Sequence, residues 1–164
     1  MSDDASPKKH PRVGVGIILR RASDGAVLVG ERRGSHGAGQ LALPGGALEW
    51  TESLRACASR ECIEETGVDV PESAWTVPYA ICESVIDANN HWVTVFALAH
   101  VDDVVDVINV EPHKCAGWTW KSATALRSME KDVMFKPLWL LVHDAERGDI
   151  EGCVPTESSE VVRG

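Results

Sequence analysis

No apolar run in this chain approaches the ~18 residues a membrane-spanning helix needs, so membrane insertion through a helix is not expected. The first residues, MSDDASPKKHP, lack the apolar stretch of a secretory leader. Basic residues are scarce: 16 Lys and Arg face 25 Asp and Glu, for a net charge of −9. Binding to polynucleotide relies on basic patches that release counterions, and the acidic balance argues against it, so no polynucleotide partner is expected. The five cysteines, at 57, 62, 82, 115 and 153, are odd in number and show no C-x-x-C spacing. That argues against a disulfide scaffold or zinc site and for a reduced, cytoplasmic or nuclear chain, of which the cytoplasm is the expected place. The six histidines are scattered without ligand spacing. A small phosphorylated ligand remains compatible with all these absences.

What the chain does have is a knot of acid. Glu61, Glu64 and Glu65 are spaced i, i+3, i+4 and share one face of a helix. Carboxylates that close raise the cost of ionising one another. A bound divalent cation relieves that cost, and Mg²⁺ is typically held by one or two carboxylates plus substrate phosphate oxygens. The helix itself is well signalled: Thr51 reads as its N-cap, Glu52 as first-turn negative charge, and Gly67 as the C-terminal cap. Leu54, Ala58, Glu61 and Glu65 follow one core-facing stripe that starts apolar and turns acidic. The plain alternative is a solvated acidic helix balanced by Arg55 and Arg60.

The full stretch Gly46–Val68, GALEWTESLRACASRECIEETGV, decides between them. Its Gly46, Glu52, Arg60-Glu61, Glu64-Glu65 and Gly67 fill every charged and glycine position of the signature of the Nudix hydrolase family, which the chain resembles. Cys62 stands where an aliphatic residue is usual, a mild departure because free Cys packs as a small hydrophobe. The resemblance implies a loop–helix–loop that holds Mg²⁺ or Mn²⁺ and hydrolyses a nucleoside diphosphate linked to another moiety. It makes Glu61 and Glu65 metal ligands, Glu64 a further ligand or water-orienting group, and the Gly45 carbonyl part of the inner shell. Glu52 and Arg60 become a structural pair.

A pass along the chain shows an α/β order without repeats. VGVGIIL (13–19) reads as a strand, AVLVGERR as a second, and GSHGAG (34–39) as a flexible connection. After the helix, residues 75–87 and 91–101 pair across 88–90, with Trp92, Thr94, Phe96 and Leu98 on one face. CAGWTW gives another strand, with Trp118 and Trp120 read as packing, and DVMFKPLWLLVHDAERG a final helix whose stripe is Phe135, Leu138, Trp139 and Val142. Pro137 marks a candidate true first turn, which would leave Met134 and Phe135 outside the helix. Length fits one domain at 11–150, with polar tails at 1–10 and 151–164. The expected fold is the α/β/α sandwich of the family: a mixed central sheet flanked by helices.

PRVGVGIILRR, VLVGERRGSHGAG, LALPGGALEW, HWVTVFALAHV and INVEPHKCAGWTW extend the resemblance to the nucleotide-sanitising branch of the family. That branch hydrolyses nucleoside triphosphates to the monophosphate and pyrophosphate, and its members tend to be homodimers. It implies that Arg32 contacts phosphates and that Leu43, Thr94, Trp139 and Leu141 form the base pocket. From the residues alone, Arg32 has the less favoured alternative of a solvent-exposed strand end, and Trp139 reads equally as a core tryptophan. Ala42, Ala47 and Leu140 depart from the branch, which carries glutamine, histidine, and glycine or proline there. Glu111 is either a plain loop carboxylate or a group that reaches metal or base. Three functions stay in view: a Mg²⁺-dependent triphosphate diphosphatase; a Nudix hydrolase of ADP-ribose, a dinucleotide, a nucleotide sugar or a pterin triphosphate; and a weakly catalytic nucleotide-binding module. The first is expected.

Overall fold

The computed structural model describes residues 10–34 and 36–143. Within them the elements run β1 (Arg12–Arg21), β2 (Val27–Arg32), β3 (Leu41–Ala42), β4 (Gly45–Ala47), α1 (Leu54–Thr66), β5 (Thr76–Asp87), β6 (Asn90–Val101), β7 (Cys115–Lys121), α2 (Ala123–Arg127) and α3 (Lys136–His143). Short 3-10 turns lie at Glu72–Ala74 and Lys131–Val133. The tails expected at 1–10 and 151–164 lie outside the described residues, His10 excepted. No helix among the described residues is long and apolar enough to cross a membrane.

The strands form one mixed seven-stranded sheet with the order β3-β2-β1-β6-β5; β4 joins it on β1, and β7 joins it on β2. Its spine is the parallel pair β1 and β6, in register from Arg12 opposite Trp92 to Arg21 opposite Val101. Both strands are near-continuous apolar runs because both of their faces are covered. The side-chain alternation of β1 then sorts the core into two layers. Val15, Ile17 and Leu19 pack with Cys57, Ala58 and Cys62 of α1, whereas Ile18 packs with Phe96, Leu98, Leu126, Leu138 and Leu141 on the side of α2 and α3. This is the expected sandwich, a mixed sheet between helical layers.

One helix boundary differs from the sequence reading, and a second follows its alternative of a final helix with Pro137 in the first turn and Met134 and Phe135 outside. The N-cap of α1 is Ser53, whose Oγ accepts from the Ala56 N–H at 3.0 Å; Thr51 instead sits in a turn at φ 68°. The reason is Glu52, whose carboxylate accepts from the Glu49 N–H and is gripped by Arg60, so it stays in the loop and the helix starts later. Gly67 does cap the C-terminus, at φ 71°, its N–H donating to Ile63 O at 3.0 Å. The final helix begins only at Lys136. Met134 bridges to Leu41, and the Phe135 N–H donates to Leu41 O at 2.8 Å, which draws both residues onto the sheet edge. Pro137 therefore lies in the first turn, and the expected continuation through 144–148 is outside the described residues. The buried stripe is Leu138, Leu141 and Val142, with Phe135 excluded from the helix.

Candidate functional site

The carboxylates of α1 meet the backbone of β4. Glu61 is 7% exposed, and its carboxylate occupies the space a side chain on Gly46 would need. Glu65 Oε2 accepts from the Gly45 N–H at 3.0 Å. Gly45 itself, at φ 145°, lies so close to Val15 O that a Cβ there would overlap the β1 backbone. Glycine at both positions lets the strand run directly beneath the acids. Burial pushes the Glu65 carboxyl up to about 7; the Gly45 N–H opposes this, and the charges of Glu61 and Glu111 add to it. Lys114 pulls the other way and lies 2.7 Å from Glu111 Oε2, an ion-pair distance. The carboxylate of Glu111 thus stands within electrostatic reach of Glu65.

Arg60 organises the other side of the cluster. Its guanidinium donates from Nε and Nη2 to the two oxygens of Glu52 at 2.8 and 3.0 Å, from Nη1 to Glu61 Oε1 at 2.6 Å, and to Glu64 Oε2 at 3.2 Å. The fork holds the Glu52 carboxyl down at about 2 and raises the guanidinium further still. Glu52 and Arg60 do form the pair the sequence suggested. Glu64 is the most open of the three box acids, with its side chain 51% exposed.

Two cavities flank this segment. One, of about 290 Å³, is lined by Glu61, Glu65, Lys114 and Trp118. The other, of about 500 Å³, lies on the α3 side of the sheet, over the side-chain-free Gly14 and Gly16 and walled by Trp92, Thr94, Phe96, Phe135 and Leu138. Both are also lined by Arg32, Arg33, Ala42, Leu43 and Gly45–Ala47, so they meet along one strip of backbone. Arg32 stands at that junction. Its Nε donates to His36 O at 3.0 Å, and its guanidinium carbon lies 4.2 Å from the Phe135 ring centroid. Among the described residues neither of its Nη groups has a protein acceptor. Burial lowers its pKa and the charge of Glu65 raises it.

The donor set suits a hard divalent cation. Glu61 and Glu65 are oxygen donors crowded together away from solvent, and burial first, then the charge of Glu61, keeps Glu65 proton-hungry. Among the described residues no three His, Cys, Asp or Glu side chains already converge as a ligand shell. Arg60 holds Glu61 from outside in the meantime.

Of the residues singled out in the sequence, Glu61, Glu65 and Gly45 share the smaller cavity, Arg32 and Leu43 line both, and Thr94 lines the larger. Glu64 lines neither. Trp139 and Leu141 do not reach the cavity either. With the helix starting at Lys136, Pro137 and Leu138 face the space; one turn on, Leu141 is sealed in the core at 1% exposed, and Trp139 stacks on His143 at 3.7 Å. Leu140 packs against the same core cluster. The residues missed were His36, Asn90 and Phe135, which line the large cavity from segments read only as turn, loop or helix. The alternation of β6 already placed Trp92 beside Thr94, and that signal was available.

A mixed-sheet sandwich that presents buried carboxylates at the edge of a small-molecule cleft defines a class of enzyme-like domain, and comparison with known proteins gives the family. Residues 10–141 match the model of the NUDIX domain, and the chain belongs to the Nudix hydrolase family. It is similar to the MutT NUDIX hydrolase of Burkholderia pseudomallei, with 29% identity and a TM-score of 0.67 over 80% of this chain and 95% of that one. It also resembles the NUDIX domain of Shewanella oneidensis NrtR, solved with ADP ribose: 22% identity and TM-score 0.58, over 85% of this chain and 94% of that one. A third likeness is to a bifunctional NMN adenylyltransferase/ADP ribose pyrophosphatase of Francisella tularensis, solved with AMP and a Mn ion, at 20% identity and TM-score 0.58. That match covers 82% of this chain and 40% of the other. The last two likenesses speak to the fold alone.

Proposed function

We propose that this Nudix hydrolase cleaves nucleoside triphosphates, deoxy or base-modified forms included, to the monophosphate and pyrophosphate. The observation that carries the reading is the junction: a largely apolar cavity of about 500 Å³ meets a carboxylate-lined one across Gly45–Ala47, with the Nη groups of Arg32, unpaired among the described residues, between them. A nucleoside triphosphate has the same order of parts, an apolar ring joined to a chain of anions. Glu61, Glu65 and the Gly45 carbonyl would hold Mg²⁺ or Mn²⁺, with Glu64 as a further ligand or water-orienting group. Bound there, the metal would offset phosphate charge and acidify a water for attack on phosphorus.

The chain's own residues do the rest. Arg32 presents a planar fork to phosphate oxygens, already oriented by its Nε bond and its ring contact. Leu43 and Thr94 bound the base cavity, which the ring of Trp92 closes on one side. Arg60 holds the box helix against β4 through Ala47 O. Composition supports a domain spanning 11–150 with the polar segments 1–10 and 151–164 outside it, the cysteine usage supports the cytoplasm, and the resemblance to the nucleotide-sanitising branch supports a homodimer.

The test is a product screen with Mg²⁺ over canonical, 8-oxo, 6-thio and methylated triphosphates, plus ADP-ribose and diadenosine polyphosphates. Pyrophosphate released from triphosphates is the expected result. Turnover confined to ADP-ribose or dinucleotides moves the substrate to the other Nudix classes. No turnover on any member of the panel favours a binding module.

A further inference from the structure

Arg32 is held in place from outside the box, and the hold can be traced. Asp87 at the end of β5 and Asn90 at the start of β6 flank the hairpin turn at the mouth of the large cavity. Asn90 Nδ2 lies 2.9 and 2.8 Å from the two Asp87 carboxylate oxygens. A carboxylate only accepts, so this fixes which end of the amide faces Asp87. The same nitrogen is 2.7 Å from His36 Nε2, which therefore accepts from it; two acceptors share no hydrogen bond, so Asp87, though its Oδ2 lies 3.3 Å from that Nε2, is linked to His36 through the Asn90 amide. The carbonyl of His36 accepts from Arg32 Nε. A chain of polar contacts thus runs from the β5–β6 turn, through the side chain and then the backbone of His36, to the guanidinium at the junction. Phe135 completes the seat from below: it faces the Arg32 guanidinium, and a Cβ on Gly37 would come within 2.6 Å of its ring.

We propose that Asp87, Asn90 and His36 are positioning residues for Arg32, setting the guanidinium at the meeting point of the two cavities so that both Nη groups are free for the phosphates of a bound nucleotide. None of the three touches phosphate; each acts through Arg32. The chain of contacts is half exposed, so it contributes little to folding, and its effect is on where Arg32 points. The proposal rests on Arg32 being a phosphate contact, as in the function proposed above.

The test is a double-mutant cycle on the hydrolysis of whichever triphosphate the wild type turns over best. His36→Ala and Asp87→Ala should each raise KM about five- to tenfold, the scale of one lost orienting hydrogen bond, with kcat within about twofold. In an Arg32→Ala background the same two substitutions should change KM less than about twofold, because the residue they act through is gone. Asp87→Glu, which keeps the acceptor, should recover part of the loss. Equal increases in both backgrounds would overturn the proposal, since they mean a general effect on the cavity mouth. So would an unchanged KM in the wild-type background. Should His36→Ala not fold, Asp87→Ala carries the cycle, because Asp87 is exposed. A wild type that hydrolyses ADP-ribose and no triphosphate sinks the substrate reading alone; the cycle is then run on ADP-ribose with the same criteria.

Discussion

The two halves of the cleft are built in opposite ways. The carboxylates of the acidic half and the glycines beneath them come from one continuous segment: Gly45, Gly46, Glu61 and Glu65 lie within a strand, a turn and a single helix, and β7 adds Trp118 from farther along the chain. The apolar half is assembled from pieces scattered along the chain, among them Gly14 and Gly16 from β1, Thr94 and Phe96 from β6, Leu43 from the β3–β4 connection, His36 from a loop, Ile86 from β5 and Leu138 from α3. The acidic half is crowded with charge and, in the function proposed above, fixes the kind of bond attacked. The apolar half is a shaped space and, in the same proposal, selects what is attached to that bond. Separating them across one sheet lets the second vary without disturbing the first.

The largest expected effect breaks the acidic half alone. Glu65→Gln and Glu61→Gln should each lower kcat by about a hundredfold to ten-thousandfold while far-UV circular dichroism stays unchanged, because each removes charge rather than packing. Near-wild-type rates in both would remove these residues from the metal site. Next comes the junction. Arg32→Ala should raise the KM of a triphosphate about ten- to a hundredfold, the loss expected for charge-assisted hydrogen bonds to phosphate, and steady-state kinetics reads it directly.

Smaller effects sharpen the apolar half. Thr94→Val keeps volume and removes a hydroxyl from the cavity wall, so the ratio of kcat/KM among bases should shift about three- to tenfold. Leu140→Ala should leave that ratio where it was and lower stability by about 1 kcal/mol, since Leu140 packs on the core cluster away from the cavity. A changed base preference in Leu140→Ala would show that α3 presents a different face to the ligand.

Another test is a pH trend in the metal-free protein. The folded chain holds the Glu65 proton up to about 7, against an ordinary value of 4.5. Between those values the folded state binds more protons than the unfolded one, so stability falls as pH rises from about 5 to 7 and levels above it. The Glu52 carboxyl, held at about 2, contributes fully across that window and fades only under stronger acid. Thermal unfolding followed from pH 5 to 8 should show the decline in wild type and lose it in Glu65→Gln.

The same contrast explains what could be read from the amino acids. An i, i+3, i+4 set of acids is a property of one helix, so Glu61, Glu64 and Glu65 were visible without a fold, as were Gly67 and the β1 and β6 strands. Thr51 was misplaced as the cap because the pull of Arg60 on Glu52 acts across eight residues, beyond the reach of local capping rules. Trp139 and Leu141 were assigned to the pocket from a resemblance. The phase of α3 is set by Met134 and Phe135 docking on β3, a tertiary event no periodicity reports. His36 and Asn90 meet across 54 positions of sequence, and only the packed sheet brings them together.

The most direct test of the account is a crystal structure with Mg²⁺ and a nonhydrolysable α,β-methylene analogue of the preferred triphosphate. The account predicts the base over Gly14 and Gly16 against Trp92 and Thr94, the phosphates on the Nη groups of Arg32, and metal on Glu61 and Glu65. A base stacked on Trp139, or phosphates bound away from Arg32 and the two glutamates, would contradict it.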